Sequence, residues 1–317
     1  MLPFIAAALG IGAAAGWAAR RAAIRRAEAE CAARLPLGSE GIIPGAEPVD
    51  RPGHGANANR AVLVLHGFGD SPHSVRYLVE HLSALGYAVR APLFPGHGRT
   101  LPDFAKARAE HWVEFARAEL NAMRTRYGDH NVALVGLSMG GALAATAAAK
   151  IPDLPVLVLI APYLQMPAKL RYAARFHPLI SLVSPYMRGR GDRSIHDPDE
   201  AKQSKHYGVI TPRLGYELLR VVQHVRQELP RVTAPTLVIA SRLDNRIGPD
   251  ASQGAFYLLG SAVRRIEFVE NTGHVITVDY QRERVFEMTA AWIAEHMTRA
   301  QGAPPKRASL RMPRASV

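Results

Sequence analysis

Between residues 61 and 269 short apolar runs of strand length recur along the chain, and segments with helical spacing fill the intervals. The runs are 61–65, 87–91, 132–136, 156–160, 236–240 and 265–269, six core strands in all. Helical patterns cover 71–85, 111–127, 139–150, 213–228 and 282–297, the third built almost wholly from small residues. Short apolar strands alternating with helices predict an α/β fold, with a mostly parallel sheet and helices on both faces. A further edge strand is expected near 42–49.

One stretch breaks the rhythm. Residues 163–230 carry no clear strand and begin with a run of apolar side chains, so 163–212 reads as a helical cap inserted between core strands four and five. Tyr163, Leu164, Met166, Phe176, Ile180 and Val183 are its candidate substrate-binding residues. Residues 35–59 read as a linker, 60–298 as the body, and 299–317, rich in Pro and Arg, as a basic tail without fixed structure.

Residues 1–34 form an apolar N-terminal helix. The stretch 2–19 is uncharged and, as a helix, would span about 27 Å, close to a bilayer core. Arg20, Arg21, Arg25 and Arg26 follow it. A secretory signal carries its charges before the apolar stretch, not after. The expectation is an inner-membrane anchor with the body of the protein facing the cytoplasm. The alternatives are an export signal or a helix on a soluble cytoplasmic protein.

The net charge of +12 first suggests nucleic acid, but its distribution does not. Residues 1–34 hold a net +3 and residues 299–317 a net +5, which leaves the long body close to neutral. The body has no basic motif interleaved with aromatics, so nucleic acid is excluded as a partner and a membrane surface is preferred. The single cysteine, Cys31, excludes an internal disulfide framework. No His, Cys or acidic cluster has metal-ligand spacing, and neither metal nor organic cofactor is expected.

The densest chemical signal is Gly136-Leu137-Ser138-Met139-Gly140, between the strand 132–136 and the helix 139–150. A serine pinched between strand and helix projects its hydroxyl above the sheet, and small neighbours make room for the turn. A hydroxyl is a weak nucleophile and needs a base. His274 follows the last core strand in Asn271-Thr272-Gly273-His274. The base needs an acid to set its tautomer. Asp244 follows core strand five, with Asp250 and Asp279 as rivals; Asp250 is expected to cap a helix starting near 251. The N–H groups of Phe68, after the first core strand, and Met139 are candidate oxyanion donors. His66 and His97 are read as loop braces.

With these motifs in hand the chain resembles the carboxylesterase and monoacylglycerol lipase branch of the α/β-hydrolase superfamily. The matching pieces are LHGFGDSP (65–72), PLFPGHG (92–98), GLSMGG (136–141), APTLVIASRLDNRIGP (234–249) and NTGHVITVD (271–279). The resemblance implies a Ser138–Asp244–His274 triad, oxyanion donors at Phe68 and Met139, and a cap over an acyl pocket. It implies a serine hydrolase but carries over no substrate, because caps differ widely within the family. The apolar cap suggests an acyl chain of at least moderate length, so short- to medium-chain acyl esters or monoacylglycerols are the preferred substrates. Lysophospholipase, thioesterase or amide hydrolase activity on the same triad is the alternative, followed by a non-catalytic binding protein on the same fold.

Overall fold

In a computed structural model of the chain the described residues are 2–189 and 194–302, with side chains described over 16–189 and 194–297. Nine strands lie among the described residues, in chain order: β1 (Val49–Arg51), β2 (Ala61–Leu65), β3 (Ala88–Ala91), β4 (Val132–Leu137), β5 (Val156–Ile160), β6 (Met187–Arg188), β7 (Val209–Ile210), β8 (Thr236–Ser241) and β9 (Arg264–Val269). The main sheet has the order β1-β3-β2-β4-β5-β8-β9, and β6 pairs with β7 in a separate ribbon. Every neighbouring pair in the main sheet is parallel except β1 with β3. The edge strand therefore sits at Val49–Arg51, just beyond the position expected for it. The apolar residues of 42–49 are used differently: Ile43 and Ala46 are buried in a turn bonded to Gly98.

Eleven α-helices lie among the described residues: α1 (Leu2–Arg34), α2 (Arg76–Ala84), α3 (Leu101–Ala105), α4 (Ala109–Tyr127), α5 (Met139–Ala148), α6 (Ala168–Arg175), α7 (His177–Val183), α8 (Pro198–Gln203), α9 (Pro212–Glu228), α10 (Pro249–Tyr257) and α11 (Arg282–Gly302). The period-two alternation of each strand divides the core. Leu63 and Leu65 of β2 face α4, α5 and α9, while Val62 and Val64 face α2 and α11. Both faces are apolar, which is why the strands read as unbroken hydrophobic runs. Thr211 caps α9 by accepting the Leu214 N–H, with Pro212 at the first helical position.

The cap lies between β5 and β8 and contains α6, α7, the β6–β7 ribbon and α8. The ribbon has two residues per strand, too few for any periodicity to show in the sequence. α9 then returns the chain to the body, packing on α5 with one face and on α6 and α7 with others.

The N-terminal helix corrects the expectation of a membrane anchor. Among the described residues no helix is long and apolar enough to cross a membrane. With that the inner-membrane anchor and its cytoplasm-facing orientation fall, and the membrane as a partner through residues 2–19 is left without support. Alanine and glycine contribute little transfer energy per residue, and the helix does not stop at the arginines but runs on to Arg34. Its second half is spent on the protein itself. Arg20 Nε donates to the Ser181 carbonyl at 3.2 Å, Glu28 accepts from the Tyr186 hydroxyl at 3.1 Å, and Glu30 pairs with Arg188 at 2.7 Å. Arg34 Nη2 donates to the carbonyls of His206 and Tyr207 at 2.8 and 2.6 Å, and Cys31 and Leu35 join the main core. The side chains of residues 2–15 and the tail residues 303–317 lie outside the described residues. α11 itself continues to Gly302, past the expected end at 297.

The start of α5 approaches both β4 and the end of β2 so closely that no side chain fits between them. A Cβ on Gly136 would stand 2.3 Å from the Gly140 carbonyl oxygen, and one on Gly140 would stand 2.2 Å from the Leu65 oxygen. Both contacts are with backbone, which cannot rotate away. Gly140→Ala is therefore expected to lower stability by about 3 kcal/mol or more, measured by urea unfolding, whereas Gly254→Ala on α10, where nothing stands within 4 Å, should be neutral or slightly stabilising.

Candidate active site

Ser138 stands between β4 and α5 with φ 55° and ψ −117°, a conformation that costs a non-glycine residue roughly 1–3 kcal/mol. Backbone bonds hold it there. Its N–H donates to the Ile160 carbonyl at 2.9 Å, and its carbonyl accepts from Ala142 at 3.1 Å and Tyr163 at 3.0 Å. The hydroxyl is thus fixed at the mouth of the sheet while the side chain stays only 8% exposed.

His274 completes the reach from the far side. Its Nε2 lies 2.8 Å from Ser138 Oγ and its Nδ1 lies 2.7 Å from Asp244 Oδ2. A carboxylate can only accept, so Nδ1 carries the proton and Nε2 is left to accept from the serine hydroxyl. Asp244 Oδ1 accepts the N–H groups of Arg246 and Ile247 at 2.7 and 2.8 Å. Burial alone would raise this carboxyl. The adjacent imidazole and the two N–H donors outweigh it and hold Asp244 below the usual carboxylate range. Ser241, at the end of β8, donates its hydroxyl to the Thr272 carbonyl at 2.6 Å and so ties the Asp244 loop to the His274 loop.

The oxyanion candidates border the same point. A Cβ on Gly67 would come within 3.5 Å of the Ser138 Cβ, so the 66–68 loop runs directly beside the serine. Phe68 is wedged edge-on against Trp112, at 5.8 Å, and tilted against Phe104, at 5.2 Å, which fixes its backbone. Met139 is the first residue of α5, whose N-terminus favours negative charge. Among the described residues neither the Phe68 nor the Met139 N–H has an acceptor. His66 is a brace: Nδ1 donates to the Gly67 carbonyl at 2.9 Å and Nε2 accepts the Phe94 N–H at 3.1 Å, with complete burial lowering the imidazole to about 4. His97 is buried among Phe104, Trp112 and His66. No group of three or more His, Cys, Asp or Glu among the described residues could hold a metal ion.

The rivals of Asp244 are placed elsewhere. Asp250 lies inside the first turn of α10, whose cap position is Gly248, so it is not the cap that was expected. Asp279 does not touch His274. Its carboxylate instead collects four backbone donors: Gly273 at 2.7 Å and His196 at 2.8 Å on Oδ2, and Asp197 at 3.0 Å and Tyr280 at 2.9 Å on Oδ1. Burial would raise this carboxyl, but the four N–H groups hold it below the ordinary range. Gly273 directly precedes His274, and His196 and Asp197 belong to the cap. Asp279 therefore joins the base-bearing loop to the cap, a role the sequence reading missed. An acid closing the β-branched run Val275-Ile276-Thr277-Val278 is the signal that points to it.

The substrate-binding candidates are not gathered around Ser138. Tyr163 is at the site through its backbone bond to Ser138. Leu164 packs into the main core, and Met166 into a small cluster with Tyr163, Leu219, Val222 and Ile247. Phe176 and Val183 face solvent, at 57% and 89% exposure, and Ile180 is half-buried on the same helix as Val183. Short cap helices turn these side chains outward, and the residues beside the site come from the returning segment instead. His206 approaches Gly69, and Tyr207 donates its N–H to the Gly69 carbonyl at 3.1 Å.

A parallel sheet with a strained serine at a strand–helix elbow, bridged by histidine to a buried carboxylate, defines a serine hydrolase of the α/β-hydrolase fold. The chain belongs to the family described as serine aminopeptidase, S33, whose model matches residues 56–281. It is 26% identical to the thermostable monoacylglycerol lipase of Bacillus sp. (strain H-257), over 80% of this chain and 97% of the relative. It is 24% identical to a carboxylesterase of Bacillus subtilis (strain 168), over 72% of this chain and 90% of the relative. A solved structure from the work on LipS and LipT, two metagenome-derived lipolytic enzymes, superposes with a TM-score of 0.72 at 30% identity, covering 80% of this chain and all of that one.

If Asp279 positions His274, Asp279→Asn should lower kcat by about tenfold or more while changing KM much less, because a loosened base misplaces the proton acceptor. Steady-state kinetics checks the split. A variant that changed only stability would leave kcat of the folded fraction intact.

Proposed function

We propose that the chain hydrolyses carboxylic esters through an acyl-enzyme on Ser138. The observation that carries this reading is the unbroken hydrogen-bonded path from Ser138 Oγ through His274 to Asp244, at 2.8 and 2.7 Å. In the first step Oγ attacks the ester carbonyl carbon as His274 Nε2 takes its proton. The resulting oxyanion rests on the N–H groups of Phe68 and Met139. The bond to the alcohol oxygen breaks, and His274 hands its proton to that oxygen. Water then gives a proton to His274 and attacks the acyl carbon. The acid leaves and the proton returns to Oγ. No step calls for a metal or an organic cofactor.

The preferred substrates are short- to medium-chain acyl esters or monoacylglycerols. Support comes from the activities of the relatives, a monoacylglycerol lipase and a carboxylesterase, each matched over most of its length. The family description names an aminopeptidase, so amide cleavage on the same three residues is the second reading.

Hydrolysis of p-nitrophenyl esters from acetate to palmitate by the full chain is expected to peak between butyrate and decanoate. Ser138→Ala should lose at least about 10³-fold in kcat. Activity confined to amino acid anilides, with none on any ester, would replace the ester reading with the amide one.

A further inference from the structure

A cavity of about 560 Å³ opens between α6 and α9 and is lined by none of Ser138, Asp244 or His274. Its walls follow from helical spacing. Arg171 and Arg175 are one turn apart on α6, and Leu219, Val222 and Arg226 recur every three or four residues along one face of α9. Arg171, Arg175 and Arg226 thus line the cavity together with Met166, Leu219 and Val222, all three of the latter buried, and Arg226 Nη1 donates to the Leu164 carbonyl at 3.5 Å. Gln223 and Gln227 add amides that can donate at the rim.

The charge in this cavity is uncompensated. No Asp or Glu lines it, and none of the three arginines forms an ion pair with a described residue. Elsewhere arginines are matched, as Arg76 and Arg282 are on Glu200 and Arg124 on Asp129 and Asp153. Like charges one turn apart destabilise a helix unless a counter-charge sits between them. A guanidinium fork matches the paired oxygens of a carboxylate or phosphate. An apolar floor beneath such forks suits a ligand with an oxyanion head and a hydrocarbon body.

We propose that the α6–α9 cavity binds an amphiphilic organic anion, a carboxylate or phosphate monoester whose head lies on Arg171, Arg175 and Arg226 and whose apolar body lies on Met166, Leu219 and Val222. The site is one layer of side chains from the candidate active site. Met166, Leu219 and Val222 pack in one cluster with Tyr163 and Ile247, whose N–H groups bond to Ser138 and Asp244. Occupancy therefore touches the back of both loops, whichever ester Ser138 takes.

Isothermal titration of the full chain with octanoate, octyl phosphate, inorganic phosphate and 1-octanol tests this. Octanoate or octyl phosphate should bind saturably and octanol should not. The tighter of the two anions assigns the head group. Arg171→Gln/Arg175→Gln should weaken binding at least tenfold, and Arg226→Gln, on the facing helix, should do the same. Both variants replace exposed side chains, and unchanged melting temperatures without ligand establish that they fold. Ser138→Ala should bind as the parent does. Equal affinity in the parent and both arginine variants would put the anion elsewhere, the acyl site included, and overturn the proposal. So would the absence of binding, or inorganic phosphate binding as tightly as octyl phosphate.

Discussion

The close approach of β4 to α5 is the constraint on which the candidate site depends. Glycine at 136 lets β4 meet the first turn of α5, glycine at 140 lets α5 meet the end of β2, and Ser138 sits in the strained turn between them with φ 55°. Ser138 takes that strain, and the bonds to Ile160, Ala142 and Tyr163 make it a fixed feature rather than a fluctuation. The same crowding aims Oγ out of the sheet and brings the Gly67 loop alongside it. Loss of either glycine would move the nucleophile and the oxyanion loop together.

Around that fixed point the base is arranged so that one ring nitrogen faces serine and the other is anchored on a carboxylate. Asp244 remains a carboxylate because His274 and two backbone donors favour its charge more than burial opposes it. Asp279 performs a parallel task for the loop, converting four backbone N–H groups from three separate segments into one junction. Through it the cap is bonded to the His274 loop, and through Tyr207 the cap is bonded to the Gly69 loop. The cap is also held from outside, by α1. A cap tied at both loops and braced by a terminal helix is part of the site's frame, not a cover laid over it.

The six core strands and the cap insertion are legible in the sequence because burial on two faces leaves continuous apolar runs, and an interruption of that rhythm stands out. Ser138, Asp244 and His274 are legible as candidates because each follows a strand end in the chain order the fold requires. What the sequence hides is contact at long range. The two-residue strands of the cap ribbon have no period to detect. Phe176 and Val183 are apolar in a cap, yet nothing in their spacing tells an inward face from an outward one. The membrane reading of residues 2–19 failed for a similar reason. Its charge pattern is that of an anchor, but the weak transfer energy of alanine and the docking of Arg20 to Leu35 against the cap are matters of magnitude and packing.

The central claim is that Ser138 is the nucleophile and that His274 activates it. The most direct test is intact-protein and peptide mass spectrometry after brief exposure to an alkyl fluorophosphonate. The account predicts one adduct, on the peptide containing Ser138, absent in Ser138→Ala and formed at least 10²-fold more slowly in His274→Ala, as expected when a nucleophile loses its general base. An adduct on another residue, or labelling of Ser138 at the same rate without His274, would contradict it.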